Sequence, residues 1–405
     1  MRVERLDVTR SVTVDDARAP RSRWSLRRIA PVLPALLLAV IAVGFRYTAD
    51  FGLAYQGGIE AWTSGHPQRL LTWTATPFFA LVMALTSRAA PLELPVRIFM
   101  AIDLVVWAVL LSVVWTRLSD KVRAGWWWAT LAAAAVFAPA VSTIFWLQPN
   151  LIVFALALGG FALVGRRNRS AGFLIGLSIA LKPIVVLLPL ALLLRRQTRA
   201  AGAWSVVAAA LLTVAGLGFL AWRAADVAVL NPFDYLAGFL SKGRGPIAAC
   251  VVENYSPVAV LCRLGLAPSV GITLAVGMVI VVIGWLLLRD LPMTKVTRWQ
   301  VFAASCLLSG MLGPIDWASY GILMAPLFLV LAYEFWRESA PPPFWIGLGL
   351  AYLLAELVWD PLESLAQAPV AVVVVSYSAG QFSQYVVLLL WIRWRQIQSR
   401  AGWST

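Results

Sequence analysis

The feature that most constrains this chain is a recurrence of apolar runs long enough to cross a lipid bilayer. Residues 97–115, 126–146, 171–194, 203–222, 270–288 and 370–391 each hold about 18 or more largely apolar residues. A backbone inside lipid has no water to bond, so such runs satisfy themselves as helices. A membrane barrel would instead show short alternating segments, and none are visible. Of the 405 residues, 61% are hydrophobic, against about half in soluble domains. The expected fold class is all-α, a polytopic transmembrane helical bundle.

Charge then sets the topology. A net charge of +14 raises the question of nucleic acid. However, the Lys and Arg residues sit in short loops between apolar runs, where the positive-inside rule puts them. No nucleic-acid partner is expected. Basic stretches occupy residues 1–27, 117–123, 166–169, 195–199, 289–298, 336–338 and 393–400. If all are cytoplasmic, the crossings between any two of them must be even in number. The first span, 29–45, lacks a convincing cleavage site after its basic tail and is expected to be retained. It places Asp50 outside.

The run 77–87 is too short to span and is expected as a juxtamembrane or re-entrant helix on the outer face. The run 171–194 is basic at both ends and carries Lys182-Pro183 at its centre. Proline breaks a helix, and a lysine at the midplane is costly. A hairpin with Lys182 at its outer tip answers both. The outcome is about twelve crossings of a plasma membrane. The expected organisation is a basic tail (1–27), a membrane domain (28–395) with outer loops at 46–96 and 223–268, and a cytoplasmic tail (396–405). The Trp clusters at 126–128 and at Trp391 and Trp394 read as interfacial belts.

This topology gathers polar groups at the outer face: Asp50, Tyr55, Glu60, His66, Gln148, Asn150, Lys182, Asp234, Lys242, Arg244, Glu253, Asn254, Tyr255 and Asp316. A carboxylate beside a few cations at a lipid-facing cavity suits sugar transfer from a lipid phosphate. The acceptor hydroxyl needs a base, and the departing phosphate needs positive charge or donors. No phosphate loop, GxGxxG or DxD pair appears, and the three cysteines form no CxxC. No cofactor and no metal are expected. Each residue also has a plainer role. Asp50 is a possible cap for a helix starting at Phe51, His66 a turn residue, and Asp316 a cap. Asp103, within the 97–115 span, must pair or face a wet cavity.

Several short motifs come in a telling order: DFGLAYQGGIEAWTSGHP from Asp50, TATPFFALVMAL, LQPN, AGFLIGLSIALKP, ENYS, and GPIDWASY ending at Tyr320. Together they resemble the GT-C superfamily of membrane glycosyltransferases. Within it they are similar to glycosyltransferase family 87, the polyprenol-phosphate-mannose-dependent α-1,2-mannosyltransferase-like proteins of actinobacteria. The likeness covers roughly residues 28–395; AGFLIGLSIALKP is its closest part. It implies that Asp50 deprotonates the acceptor hydroxyl and that Lys182 contacts the donor phosphate. Tyr55, His66, Gln148, Asn150, Lys242, Arg244, Glu253, Asn254, Tyr255, Asp316 and Tyr320 are further candidates for substrate binding. The donor would be a polyprenyl-phosphate sugar, the acceptor a glycolipid or lipid-linked glycan, and the site extracytoplasmic. The sequence departs from the family where paired prolines become Thr76-Pro77 and where a late histidine becomes Ser319. Two other classes share this composition: a polyprenyl-lipid transporter or flippase, and a non-catalytic lipid-binding relative.

Overall fold

The computed structural model describes residues 49–70, 75–118, 137–231, 277, 284, 295–311, 318–356 and 370–400. The expected spans 29–45 and 270–288, most of 126–146, most of the long outer loop, the turn holding Asp316 and residues 401–405 lie outside them. Among the described residues all regular structure is helical.

Helix α1 (Ala49–Thr63) begins at the residue before Asp50, so Asp50 sits in its first turn rather than capping a helix from Phe51. A carboxylate there complements the exposed N–H groups of the helix start. Helix α2 (Pro77–Ala89) is the short apolar helix expected after the first loop. Thr76 caps it, its hydroxyl accepting from the Phe79 N–H at 3.1 Å, and Pro77 occupies the position where a missing N–H costs nothing. Helices α1 and α2 pack on each other with α3 (Glu93–Leu118), and Phe51 meets Phe99 of α3 with ring centroids 5.1 Å apart.

Helices α4 (Ala138–Phe145) and α5 (Asn150–Leu163) flank the Leu147–Pro149 turn, where Leu147 is buried at positive φ. The run 171–194 divides as expected. Helix α6 (Asn168–Leu181) stops where Lys182 turns extended ahead of Pro183, and α7 (Leu187–Leu193) follows. Helix α8 (Arg199–Ala224) lies parallel to α6. A Cβ on Gly172 would meet the Ala201 carbonyl oxygen at 2.8 Å, and one on Gly176 would meet the Ser205 carbonyl oxygen at 2.6 Å. The register advances together along both chains, so α7 must return to bring the chain back to the start of α8. Lys182 therefore lies at the tip of a helical hairpin.

Helix α9 (Lys295–Met311), a 3-10 turn (Ala318–Met324), α10 (Ala325–Arg337), α11 (Pro342–Glu356) and α12 (Val370–Arg400) complete the described bundle. The apolar stretch leading into α10 starts as a 3-10 turn, with α-helix proper only from Ala325, where Pro326 suits a first turn. Helix α12 passes residue 395; no Pro or Gly follows Gly380 before Arg400. Trp391 does not behave as a belt residue. It is buried between Phe335 and Phe344, and its indole N–H donates to Glu334 at 2.6 Å. Glu334, also buried, accepts two further bonds from the Gln300 amide at 2.9 and 2.8 Å.

Several helices are inverted relative to a soluble protein. On α3 the buried positions include Asp103 and Trp107, while Ile98, Ile102, Val105 and Val109 are exposed. On α8 Ala201, Ser205 and Ala208 face inward, and Trp204, Val207, Leu211 and Val214 face outward, Leu211 being 65% exposed. Among the described residues α8 is the one helix long and apolar enough to cross a membrane by length and composition; α2 and α5 are shorter apolar helices. The described residues do not confirm the expected count of about twelve crossings.

Candidate functional site

Three separate stretches deliver the site. The first turn of α1 brings Asp50, the turn before α5 brings Gln148, and the hairpin tip after α6 brings Lys182. The Gln148 amide bridges the other two: its Nε2 donates to Asp50 Oδ2, and its Oε1 accepts from Lys182 Nζ. A glutamine suits this place because one amide carries both a donor and an acceptor. The Lys182 ammonium also sits over the Tyr320 ring, 4.4 Å from its centroid.

Burial governs the electrostatics. It raises Asp50 above the ordinary carboxylate range, and the Gln148 bond and the Lys182 charge only partly offset this. Lys182, at the tip and outside both helices, is pushed down to about 7 by desolvation, against the pull of Asp50. Both groups are therefore moved toward pH values where a proton can be exchanged.

Other candidates lie around or away from this bridge. Asn150 is fully buried at the start of α5, and neither atom of its amide has a hydrogen-bond partner. Asp103 is likewise buried with both carboxylate oxygens unpartnered, so of the two expected outcomes the pairing is not the one found. It stands one turn beyond Phe99, whose ring meets Phe51 of α1. The Tyr55 hydroxyl donates to the Ala90 carbonyl at 2.7 Å and ties α1 to the end of α2. His66 follows the far end of α1, about 20 Å along the axis from Asp50. There its Nδ1 lies 3.2 Å from the Gln68 amide nitrogen, and Gly65 abuts α8. The structure does not bring it to the bridge. Lys242, Arg244, Glu253, Asn254, Tyr255 and Asp316 lie outside the described residues. Among the described residues no group of three His, Cys, Asp or Glu is placed to hold a metal ion.

Reading from sequence passed over Thr76 as a site component. Its hydroxyl reaches the Ala180 and Leu181 carbonyls, immediately ahead of Lys182. A Thr before Pro and an apolar run was legible as a helix cap. Its second partner, a hundred residues on, was not.

A bridged carboxylate and ammonium can together exchange a proton and offset a negative charge. The chain belongs to glycosyltransferase family 87, whose description matches residues 73–314, and it is a glycosyltransferase. It is similar to the polyprenol-phosphate-mannose-dependent alpha-(1-2)-phosphatidylinositol mannoside mannosyltransferase of Mycolicibacterium smegmatis, with 27% identity over 394 residues, 86% of this chain and 84% of that protein. No solved structure matches the chain. Gln148, Asn150 and Lys182 fall within the family match, whereas Asp50 precedes it and Tyr320 follows it.

Proposed function

We propose that this protein transfers a sugar, expected to be mannose, from a polyprenyl-phosphate donor to a glycolipid or lipid-linked glycan acceptor. The mannosyl donor is the one named for the relative. The observation that carries the reading is the Gln148 bridge between Asp50 and Lys182. In the reaction an acceptor hydroxyl attacks the anomeric carbon, and the bond from that carbon to the phosphate oxygen breaks. Asp50 takes the hydroxyl proton. The polyprenyl phosphate leaves with its bonding electrons, and Lys182 offsets the growing charge on it. Lys182 fills the cation's place, so the reaction is written without a metal or cofactor.

The same reading places the protein as a multi-pass enzyme of the plasma membrane, with the site extracytoplasmic. The exposed apolar stripes of α3 and α8, with polar and small residues turned inward, support the membrane. The exposed arginines Arg166, Arg167, Arg196 and Arg199 support the face, because they lie at the opposite end of the α6–α7 hairpin from Lys182. The test is transfer of radiolabelled sugar by purified protein from a panel of polyprenyl-phosphate sugars. Accumulation of labelled glycolipid supports the reading, and no transfer from any donor and acceptor pair rejects it.

A further inference from the structure

We infer that Thr76 is a positioning residue for Lys182, acting as a C-terminal cap supplied to α6 by another helix. The last carbonyls of a helix have no partner within it. Here the usual local remedies are absent. Pro183 has no N–H, and the Ile184 N–H is already spent on the Lys182 carbonyl at 2.8 Å. The Ala180 carbonyl thus has no helical donor. Thr76 supplies one: its hydroxyl donates to the Ala180 carbonyl and lies 3.3 Å from the Leu181 carbonyl oxygen. The same oxygen accepts the Phe79 N–H at 3.1 Å. One hydroxyl therefore joins the positive end of α2 to the negative end of α6, which favours the contact on both sides.

The place is backed from behind. A Cβ on Gly216 of α8 would meet the Pro77 carbonyl carbon at 2.4 Å, so α8 holds the Thr76-Pro77 step against the hairpin tip. The residue after the capped carbonyls is Lys182, which must reach Gln148 and the Tyr320 ring at once. A side chain bonded to two groups depends on where its backbone is fixed. The inference rests on the proposed role of Lys182.

The experiment compares Thr76→Val, which keeps the shape and loses both bonds, with Thr76→Ser, which keeps the hydroxyl. Full-length protein in lipid nanodiscs is labelled at Lys182 with an amine reagent across pH, followed by mass spectrometry. The same samples are assayed for transfer. In Thr76→Val the labelling midpoint of Lys182 should move upward toward an ordinary lysine, and kcat/KM should fall about tenfold. Thr76→Ser should keep the wild-type midpoint and remain within about twofold. A wild-type midpoint in Thr76→Val overturns the proposal, as does equal displacement in Thr76→Ser and Thr76→Val. If Thr76→Val does not fold, Thr76→Pro replaces it, and a wild-type midpoint there counts equally against the cap. Labelling does not need turnover. A shifted midpoint in a protein whose Lys182→Met variant transfers sugar normally would leave the cap standing and remove the catalytic reading instead.

Discussion

At the scale of single residues, a proton and a charge have to be in the right place. Asp50 as base predicts that Asp50→Ala lowers kcat by about 10²–10⁴-fold while the protein keeps its elution profile and melting temperature, measured by sugar transfer and thermal shift. Unchanged turnover would remove Asp50 from the mechanism. The pH profile has two limbs. Asp50 must be ionised, and burial raises it, so kcat/KM should begin to fall on acidification at a higher pH than an ordinary carboxylate gives. Lys182 must be protonated, and in the free enzyme it is pushed down to about 7, so kcat/KM should fall again as pH rises through that region. A bound phosphate favours the ammonium, so the alkaline limb of kcat should lie higher than that of kcat/KM. Lys182→Met should abolish the alkaline limb and cost about 10²-fold in kcat/KM. Asp50 and Lys182 were both legible in the sequence, one from its place after the first span and the other from its place ahead of a proline within an apolar run. Gln148 as the link between them was not, since no spacing rule joins a residue to partners 98 and 34 positions away.

At the scale of elements, the α6–α8 contact decides where the hairpin tip stands. Gly172 and Gly176 are four apart and lie on one face, the spacing that lets helix backbones close up in membranes. Gly176→Val would drive its side chain into the Ser205 carbonyl and the Ala208 methyl, each 2.6 Å from the Cβ position. A cost of about 1–3 kcal/mol is expected, read as a lowered melting temperature in nanodiscs together with reduced transfer. The AGFLIGLSIALKP stretch thus does two jobs, packing through its glycines and ending its helix at Lys182-Pro183. At the other end of the bundle, Glu334→Ala would leave the Gln300 amide and the Trp391 indole N–H buried without their acceptor. That change should cost about 1–3 kcal/mol without a shift in the pH profile, since the cluster lies on other helices than the Asp50 bridge.

At the scale of the whole molecule, the decisive property is which way the apolar side chains face. Leu211 and Val214 lie near the middle of α8 and are 65% and 62% exposed. Arginine at both should cost about 2.5–3.5 kcal/mol per site if that face meets lipid. The carbonate-resistant membrane fraction should then fall in an expression test, and an unchanged fraction would mean that the stripe faces water or another protein. The apolar stripes also explain why the interior is polar in places. Asp103 and Asn150 are buried while Ile102 and Val105 beside Asp103 are exposed, which is the arrangement of a bundle that keeps its polar groups from lipid.

Composition and the spacing of prolines and charges determined the helical class, the short helix after the first loop and the break at Lys182-Pro183. They suffice because hydropathy and proline act locally, within a turn or two. Only the tertiary structure decided that His66 stands a helix length from Asp50, that Trp391 is an interior hydrogen-bond donor, and that Thr76 closes a helix from a distant part of the chain. Those outcomes depend on which surfaces meet, and a contact between remote segments leaves no periodicity in either of them.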